Sequence, residues 1–308
     1  MREVGTRLRT QARQWFPNGS IILGYHGVGR RSLTDDPYLL YVRPERLRLH
    51  METLLAAGFR FVTMADFARR MAADGDRPTG YAAVTFDDGM QDNYEQALPM
   101  LSEYGITATV YVLAGTIGEP NPWMSHELGL RMMNESELRK LVAARWELGA
   151  HSMTHPDMSS LTYDACLREM LDSKTAVEQL AGATVETFSY PFGSHGPAAM
   201  AAASDAGFIA AVSTGDGDDS RFSLRRAMIG GADSFPIAFL KAAASYQPVL
   251  SGRRATALRR RIATRRSLRN DARRRRALKE RCIPPISESP DVSVGHVTGA
   301  VTGRGRPG

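Results

Sequence analysis

Three short apolar runs, at 81–86, 146–150 and 185–190, each end in a polar or turn-forming cluster. The first leads into Asp87-Asp88-Gly89, the second into His151-Ser152-Met153-Thr154-His155-Pro156, and the third into Pro191-Phe192-Gly193. Brief runs rich in aromatic and β-branched residues read as buried strands. Further runs at 21–26, 106–113, 209–213 and 222–229 fit the same pattern. Between them lie helix-like segments at 44–57, 65–71, 93–104, 134–145, 162–180 and 198–206, and a last helix is expected at 235–244. Asn134 and Glu137 form a capping-box pattern, and Gly182 is a stop signal for the 162–180 helix. Strand alternating with helix implies a parallel α/β architecture. Periodicity fits a closed barrel and an open sheet equally. In both, the carboxyl ends of the strands carry the site, and the three clusters fall at such ends.

Two adjacent carboxylates and two histidines spaced four apart suit one divalent ion and one general base. Two imidazoles and a carboxylate hold a cation such as Zn²⁺ while leaving positions for water and substrate. A second carboxylate beside the ligand can take a proton from water at the ion. Each half alone is ordinary. Asp-Asp-Gly is a common turn or helix cap, and a histidine pair is as often structural as ligating. Their shared position at strand ends is what points to hydrolysis of a carbonyl compound.

The motifs resemble those of the polysaccharide deacetylase family, the NodB-homology carbohydrate esterases. Thr-Phe-Asp-Asp-Gly at 85–89 is similar to the family's first motif, and 151–156 resembles the second, H-[ST]-x-x-H-P. Ser-Tyr-Pro-Phe-Gly at 189–193 resembles the third, in its Y-P-[FY]-G form. Leu224-Arg225-Arg226 resembles a later L-P-R segment, with Arg225 where proline is usual. Tyr25-His26-Gly27-Val28 resembles the Y-H-x-[VI] signature of the exopolysaccharide deacetylase branch, whose N-terminal motif looks like the product of a circular permutation.

The resemblance implies a distorted, incomplete (β/α) barrel of about seven strands, here with a basic C-terminal extension. It implies a metal-dependent deacetylase hydrolysing an N-acetyl or O-acetyl group on a glycan or glycolipid. Asp88, His151 and His155 would hold one divalent metal, Zn²⁺ foremost, and Asp87 would be the base. Many family members supply the acid as a histidine near the end of the domain; no histidine lies between His195 and His296, and the resemblance to the branch with an N-terminal motif implies His26 as the acid. The family often places an arginine before the third motif, where Thr187 and Phe188 stand here. Arg226 would substitute in supporting Asp87, with Arg225 the alternative. Tyr190, Pro191, Phe192 and Trp123 are the expected substrate contacts. A tyrosine in the place of Tyr190 is more often core than catalytic, packing is an equal reading for Trp123, and His195 reads as a loop histidine ahead of a substrate contact. Competing readings on the same fold are a hydrolase of a small non-carbohydrate amide and a non-catalytic carbohydrate-binding relative.

The net charge of +6 is unevenly spread. Residues 253–281 carry 13 Arg and 1 Lys against Asp271 and Glu280, a local +12, so the remainder is acidic by about 6. That segment reads as a solvated or partly helical tail, or as a contact for an anionic membrane surface or polyanion. Phosphate attraction alone would be unspecific, and no base-reading motif accompanies it, so no specific nucleic acid is expected. The chain divides into an N-terminal extension at 1–19, a catalytic domain at 20–248, the Arg-rich segment at 249–281 and a tail at 282–308, expected to be disordered. Cys166 and Cys282 have no metal-like spacing. No signal-like or membrane-spanning apolar run is present, so the expected location is cytoplasmic, or peripheral at the inner membrane face.

Overall fold

Strands that read as unbroken apolar runs pair in parallel with both faces covered, because the crossover helices pack on the sheet. A computed structural model of the chain describes residues 19–234, except Asp76 and Asp216, together with Ala238. The rest of the expected helix at 235–244, the Arg-rich segment, the tail and all but the last residue of the N-terminal extension lie outside the described residues.

In chain order the elements are β1 (Ser20–Tyr25), β2 (Gly27–Val28), β3 (Tyr41–Val42), α1 (Pro44–Ala56), β4 (Arg60–Val62) and α2 (Met64–Asp74). Then come β5 (Tyr81–Phe86), α3 (Leu98–Ser102), β6 (Thr109–Val112), α4 (Glu135–Ala143), β7 (Glu147–Ala150) and α5 (Tyr163–Ala181). The last are β8 (Thr187–Ser189), α6 (Pro197–Asp205), β9 (Ala210–Val212) and β10 (Ala227–Met228). Seven strands follow the order β10-β1-β5-β6-β7-β8-β9, a curled parallel sheet forming an incomplete barrel, and β4 joins as a branch on β5. The small β2–β3 pair stands apart.

Three segments depart from the sequence-based expectation for physical reasons. β1 pairs with β5 over its whole length, but the other edge of β5 is shared. β4 takes Tyr81 to Ala83, and β6 takes Thr85 and Phe86. The strand expected at 106–113 therefore begins only at Thr109. The helix expected at 93–104 starts as a π-helical turn, Asn93–Ala97, before α3. Pro99 has no N–H for the Glu95 carbonyl and its ring crowds it, so the turn widens and the Leu98 N–H reaches Asn93 O instead. The strand expected at 222–229 is reduced to β10 and an isolated bridge between Val212 and Leu224. That irregular stretch fills the seam between β9 and β10.

The pleat sorts the core into two layers. Ile21, Leu23, Ala82, Val84, Phe86, Val110 and Leu148 pack outward with Leu47, Met51 and Leu54 of α1, Leu138 and Leu141 of α4, and Met170 and Val177 of α5. Ile22, Ala83, Tyr111 and Val212 point into the barrel, closed below by Met64, Phe67 and Ala68 of α2. The same period of two carries His26, Asp87, His151 and Ser189 to the inward side at the carboxyl ends of β1, β5, β7 and β8. The helix ends follow the sequence signals. α4 begins with the Asn134–Glu137 capping box, and α5 runs from a Thr162 cap to a left-handed Gly182. Among the described residues no helix is long and apolar enough to cross a membrane.

Candidate active site

Consecutive residues on a strand point to opposite faces, so Asp87 and Asp88 would diverge if β5 simply continued. Asp88 instead adopts φ +76, and this left-handed turn brings its carboxylate back to the inward side. His155 (φ +59) and Ser152 (φ +67) are also left-handed. Non-glycine residues in this region cost conformational energy and cluster at functional sites. The outcome is convergence. His151 Nε2 lies 3.3 Å and His155 Nε2 3.5 Å from the same oxygen, Asp88 Oδ1. No other cluster of three potential metal ligands occurs among the described residues.

This donor set fits a divalent cation. Asp88 Oδ1 is buried and receives no hydrogen bond of good geometry, an uncompensated acceptor facing two imidazole nitrogens. His151 Nδ1 is 2.7 Å from Ser189 O, which can only accept. The neutral ring therefore carries its proton on Nδ1, which leaves Nε2 as the nitrogen that can bind an ion beside Asp88, the arrangement usual for a ligating histidine. Burial would raise the Asp88 carboxyl, but His151, His155 and the charge of His26 outweigh it and hold it below the carboxylate range. Burial pushes His155 below its ordinary value. Burial acts the same way on His151, but the Asp88 and Asp87 carboxylates win and raise it.

Asp87 lies beside this cluster and is held differently. Arg226 is fully buried and grips it with two parallel bonds, Nη1 to Oδ1 and Nη2 to Oδ2, both 2.7 Å. The other donors of the guanidinium reach Ser213 O, Thr85 Oγ1 and Ser189 Oγ, each at 2.9 Å. Burial would raise Asp87, but Arg226 first, then His151 and His26, hold it below the ordinary carboxylate range. Arg225 pairs instead with Asp219. The arginine supporting the candidate base is therefore Arg226. It touches no open surface, so its role is to position Asp87. His26 is half-buried at the end of β1, and Asp87 N donates to the neighbouring Tyr25 O at 2.9 Å. Its imidazole is near enough to influence both carboxylates.

The expected substrate contacts separate into two kinds. Trp123 and Phe192 both meet the His155 ring edge-on, with centroids 5.2 Å and 4.6 Å away. Phe192 is 53 % exposed at the rim. Trp123 is half-buried and packs on the cluster of Tyr41, Met90, Met124 and Met132. Tyr190 is a correction. It is fully buried, its hydroxyl donates to Phe222 O, and its ring stacks on His195 at 4.6 Å. A residue with no exposed surface cannot touch substrate, so Tyr190 supports the site from behind. Pro191 is buried too and acts by shaping the turn that presents Phe192. His195 has both ring nitrogens engaged, by Gly193 O and Ser223 Oγ, consistent with a loop-fixing role.

Two supporting residues went unassigned in the sequence. Ser189 offers its carbonyl to His151 and its hydroxyl to Arg226, so it couples the ligand cluster to the base. Its position just before Tyr190-Pro191 is the only local signal. Glu169 on α5 accepts from Met153 N, Thr154 N and Thr154 Oγ1 at 2.8, 3.0 and 2.7 Å, and so ties down the histidine loop. Nothing in the local sequence marks it. From the other side Gly115 donates to Met153 O at 3.1 Å, and a Cβ there would sit 2.3 Å from that oxygen. Glu169→Ala is expected to weaken Zn²⁺ binding by about 10–100-fold, the usual cost of losing support behind a ligand. Competition with a chromophoric chelator measures this, and unchanged affinity would show that the loop holds itself.

Comparison with known proteins agrees with this geometry. Residues 74–211 match the model of a family described as polysaccharide deacetylase. Over 200 residues the chain is 26% identical to the YxkH protein of Bacillus subtilis, covering 65% of this chain and 66% of that one. It is 23% identical over 198 residues to a poly-beta-1,6-N-acetyl-D-glucosamine N-deacetylase of Staphylococcus aureus, covering 57% and 65%. In both cases slightly under two thirds of the relative's length is spanned. The fold is shared with the deacetylase PplD of Streptococcus pyogenes (TM-score 0.62, 21% identity, 72% of this chain and 97% of that one). It is also shared with IcaB of Ammonifex degensii (TM-score 0.58, 20% identity, 74% and 97%).

Proposed function

Since the chain belongs to the polysaccharide deacetylase family, we propose that it is a metal-dependent hydrolase removing acetyl groups from the nitrogen of an N-acetylated glycan or glycolipid. The observation that carries this reading is the pairing of two differently held carboxylates. Asp88 faces two imidazoles with an uncompensated oxygen, and Asp87 is ionised and clamped by Arg226. One relative is named as an N-deacetylase of an N-acetylglucosamine polymer, which favours the N-acetyl over the O-acetyl reaction.

A divalent cation held by Asp88, His151 and His155 would polarise the acyl oxygen and acidify water. Asp87 takes the proton as water adds to the acyl carbon. Its lowered pKa keeps it ionised but makes it a weak base, so it can act only on water that is already acidified. Arg226 fixes both oxygens of Asp87 and so fixes the direction of proton removal. His26, at the end of the neighbouring strand, gives its proton to the leaving nitrogen as the C–N bond breaks. Water and the amide are thereby converted to acetate and an amine, with no external oxidant or reductant. Phe192 and Trp123 border the His155 side, where an aromatic face can stack on a sugar ring.

The test is acetate release from N-acetylglucosamine oligomers and from polyprenyl-linked N-acetyl sugars, with and without chelator. Release should stop with chelator and return with added Zn²⁺ or Co²⁺. Chelator-resistant release would sink the metal-dependent mechanism. Turnover of small non-sugar amides with none on any N-acetyl sugar would overturn the substrate class.

A further inference from the structure

An acid that protonates a leaving group must be held at a set distance from the base, yet His26 lies where β1 has ended and the chain bends into β2. Two buried side chains secure that bend from the π-helical turn after β5. Asn93 Nδ2 donates to His26 O at 2.7 Å, and Asp92 Oδ1 accepts from Val28 N at 2.5 Å. Asn93 Nδ2 also lies 3.3 Å from Asp92 Oδ1, which links the two holds. Asn93 is fully buried and Asp92 is 8 % exposed. The arrangement is costly to the fold, because Asn93 Oδ1 is buried without a hydrogen-bond partner and an apolar residue would avoid that penalty. The π turn that sets Asn93 in place is itself an irregularity of a kind found frequently at functional sites.

We infer that Asn93, aided by Asp92, is a positioning residue for the proton donor: it fixes the main chain of His26 and thereby aims the imidazole at the leaving nitrogen. This rests on the assignment of His26 as the acid under the proposed function. A purely structural role would make Asn93 matter for every substrate and independently of His26. A positioning role makes it matter only where the leaving group needs a proton, and only through His26.

The experiment uses the full-length, Zn²⁺-loaded protein with an N-acetylglucosamine oligomer as the amide and 4-nitrophenyl acetate as an ester whose leaving group needs no acid. Asn93→Leu should lower kcat on the amide about 10–100-fold, the scale of a misplaced reacting group. KM and ester turnover should stay within about twofold of the unaltered protein's. Asn93→Ser, whose hydroxyl is too short to span to His26 O, is a milder variant expected to give the same pattern if the leucine variant folds poorly. In a His26→Ala background, adding either substitution should change amide turnover less than about twofold, since residues acting through one another are not additive. Equal loss on amide and ester, full loss persisting without His26, or unchanged amide turnover in a folded variant would each overturn the inference. If His26→Ala itself spares the amide, the acid assignment falls. The positioning claim is then judged by the His26 imidazole ¹H–¹⁵N resonances, whose failure to move in the Asn93 variants overturns it.

Discussion

Arg226→Met is expected to lower the free energy of unfolding by about 3–5 kcal/mol, the cost of stranding one partner of a buried ion pair. That is a large part of the roughly 5–15 kcal/mol available to a domain. Arg226 is 0 % exposed and uses all five of its donors. Methionine keeps much of the volume but leaves Asp87 as a buried carboxylate without its main counter-ion. Denaturant midpoints measure the loss. Adding Asp87→Asn to the methionine variant should recover part of it by removing the stranded charge, and a double variant no more stable than the single one would contradict the argument. The pH dependence supplies a sign. In the unaltered protein the folded-state pKa of Asp87 lies below its unfolded value. Its contribution is therefore fully present above the unfolded pKa of about 3.9 and is lost as pH falls through the lower folded value. Without Arg226, burial pushes the carboxyl upward instead. Between neutral pH and about pH 5 the variant should then gain stability on acidification, whereas the unaltered protein should gain none from this group.

Asp87→Asn alone should reduce deacetylation by about 10²–10⁴-fold, the scale of a lost general base, with one metal ion still bound per chain. The metal is retained because the three candidate ligands, Asp88, His151 and His155, are unchanged. The structure adds a condition to this experiment. Asp87 is also the counter-ion of a buried guanidinium, so the variant is destabilised as well, and rates must be compared where circular dichroism shows it fully folded. Metal content by mass spectrometry under native conditions is the deciding reading. An empty site in a folded Asp87→Asn protein would mean that both aspartates ligate.

Much of this site is visible in the chain because its chemistry is written next to strand ends. The three clusters at 87–89, 151–156 and 191–193 do lie at the mouth of the barrel, and the pleat delivers His26, Asp87 and His151 to one side. What the chain hides are choices settled by tertiary packing. Arg225 and Arg226 are adjacent and chemically alike, and only the strand pairing of β10 with β1 turns one inward and leaves the other to Asp219. Tyr190 sits within a motif, which suggests function, yet it faces the helical layer and is consumed by the core. Asn93 acts across a long stretch of chain on a backbone carbonyl, and Glu169 acts chiefly on backbone N–H groups of a loop outside its own helix, and a backbone partner leaves no pattern in side-chain order. β4 and the β2–β3 pair are two or three residues long, too short for a period to register. Pro99 was a readable signal for the irregular turn, since proline cannot sit inside an α-helix without consequence.

The seam between β9 and β10 has a consequence for the order in which the molecule becomes competent. All three candidate metal ligands lie between residues 88 and 155, in the loops that follow β5 and β7, two strands separated by β6 alone. The clamp on the base comes from residue 226, beyond the seam, and reaches back to Thr85, Asp87, Ser189 and Ser213. The candidate ligands are therefore all supplied by the first half of the sheet, whereas the candidate base is clamped only when the last strand docks. Closing the seam and securing Asp87 are then one and the same packing event.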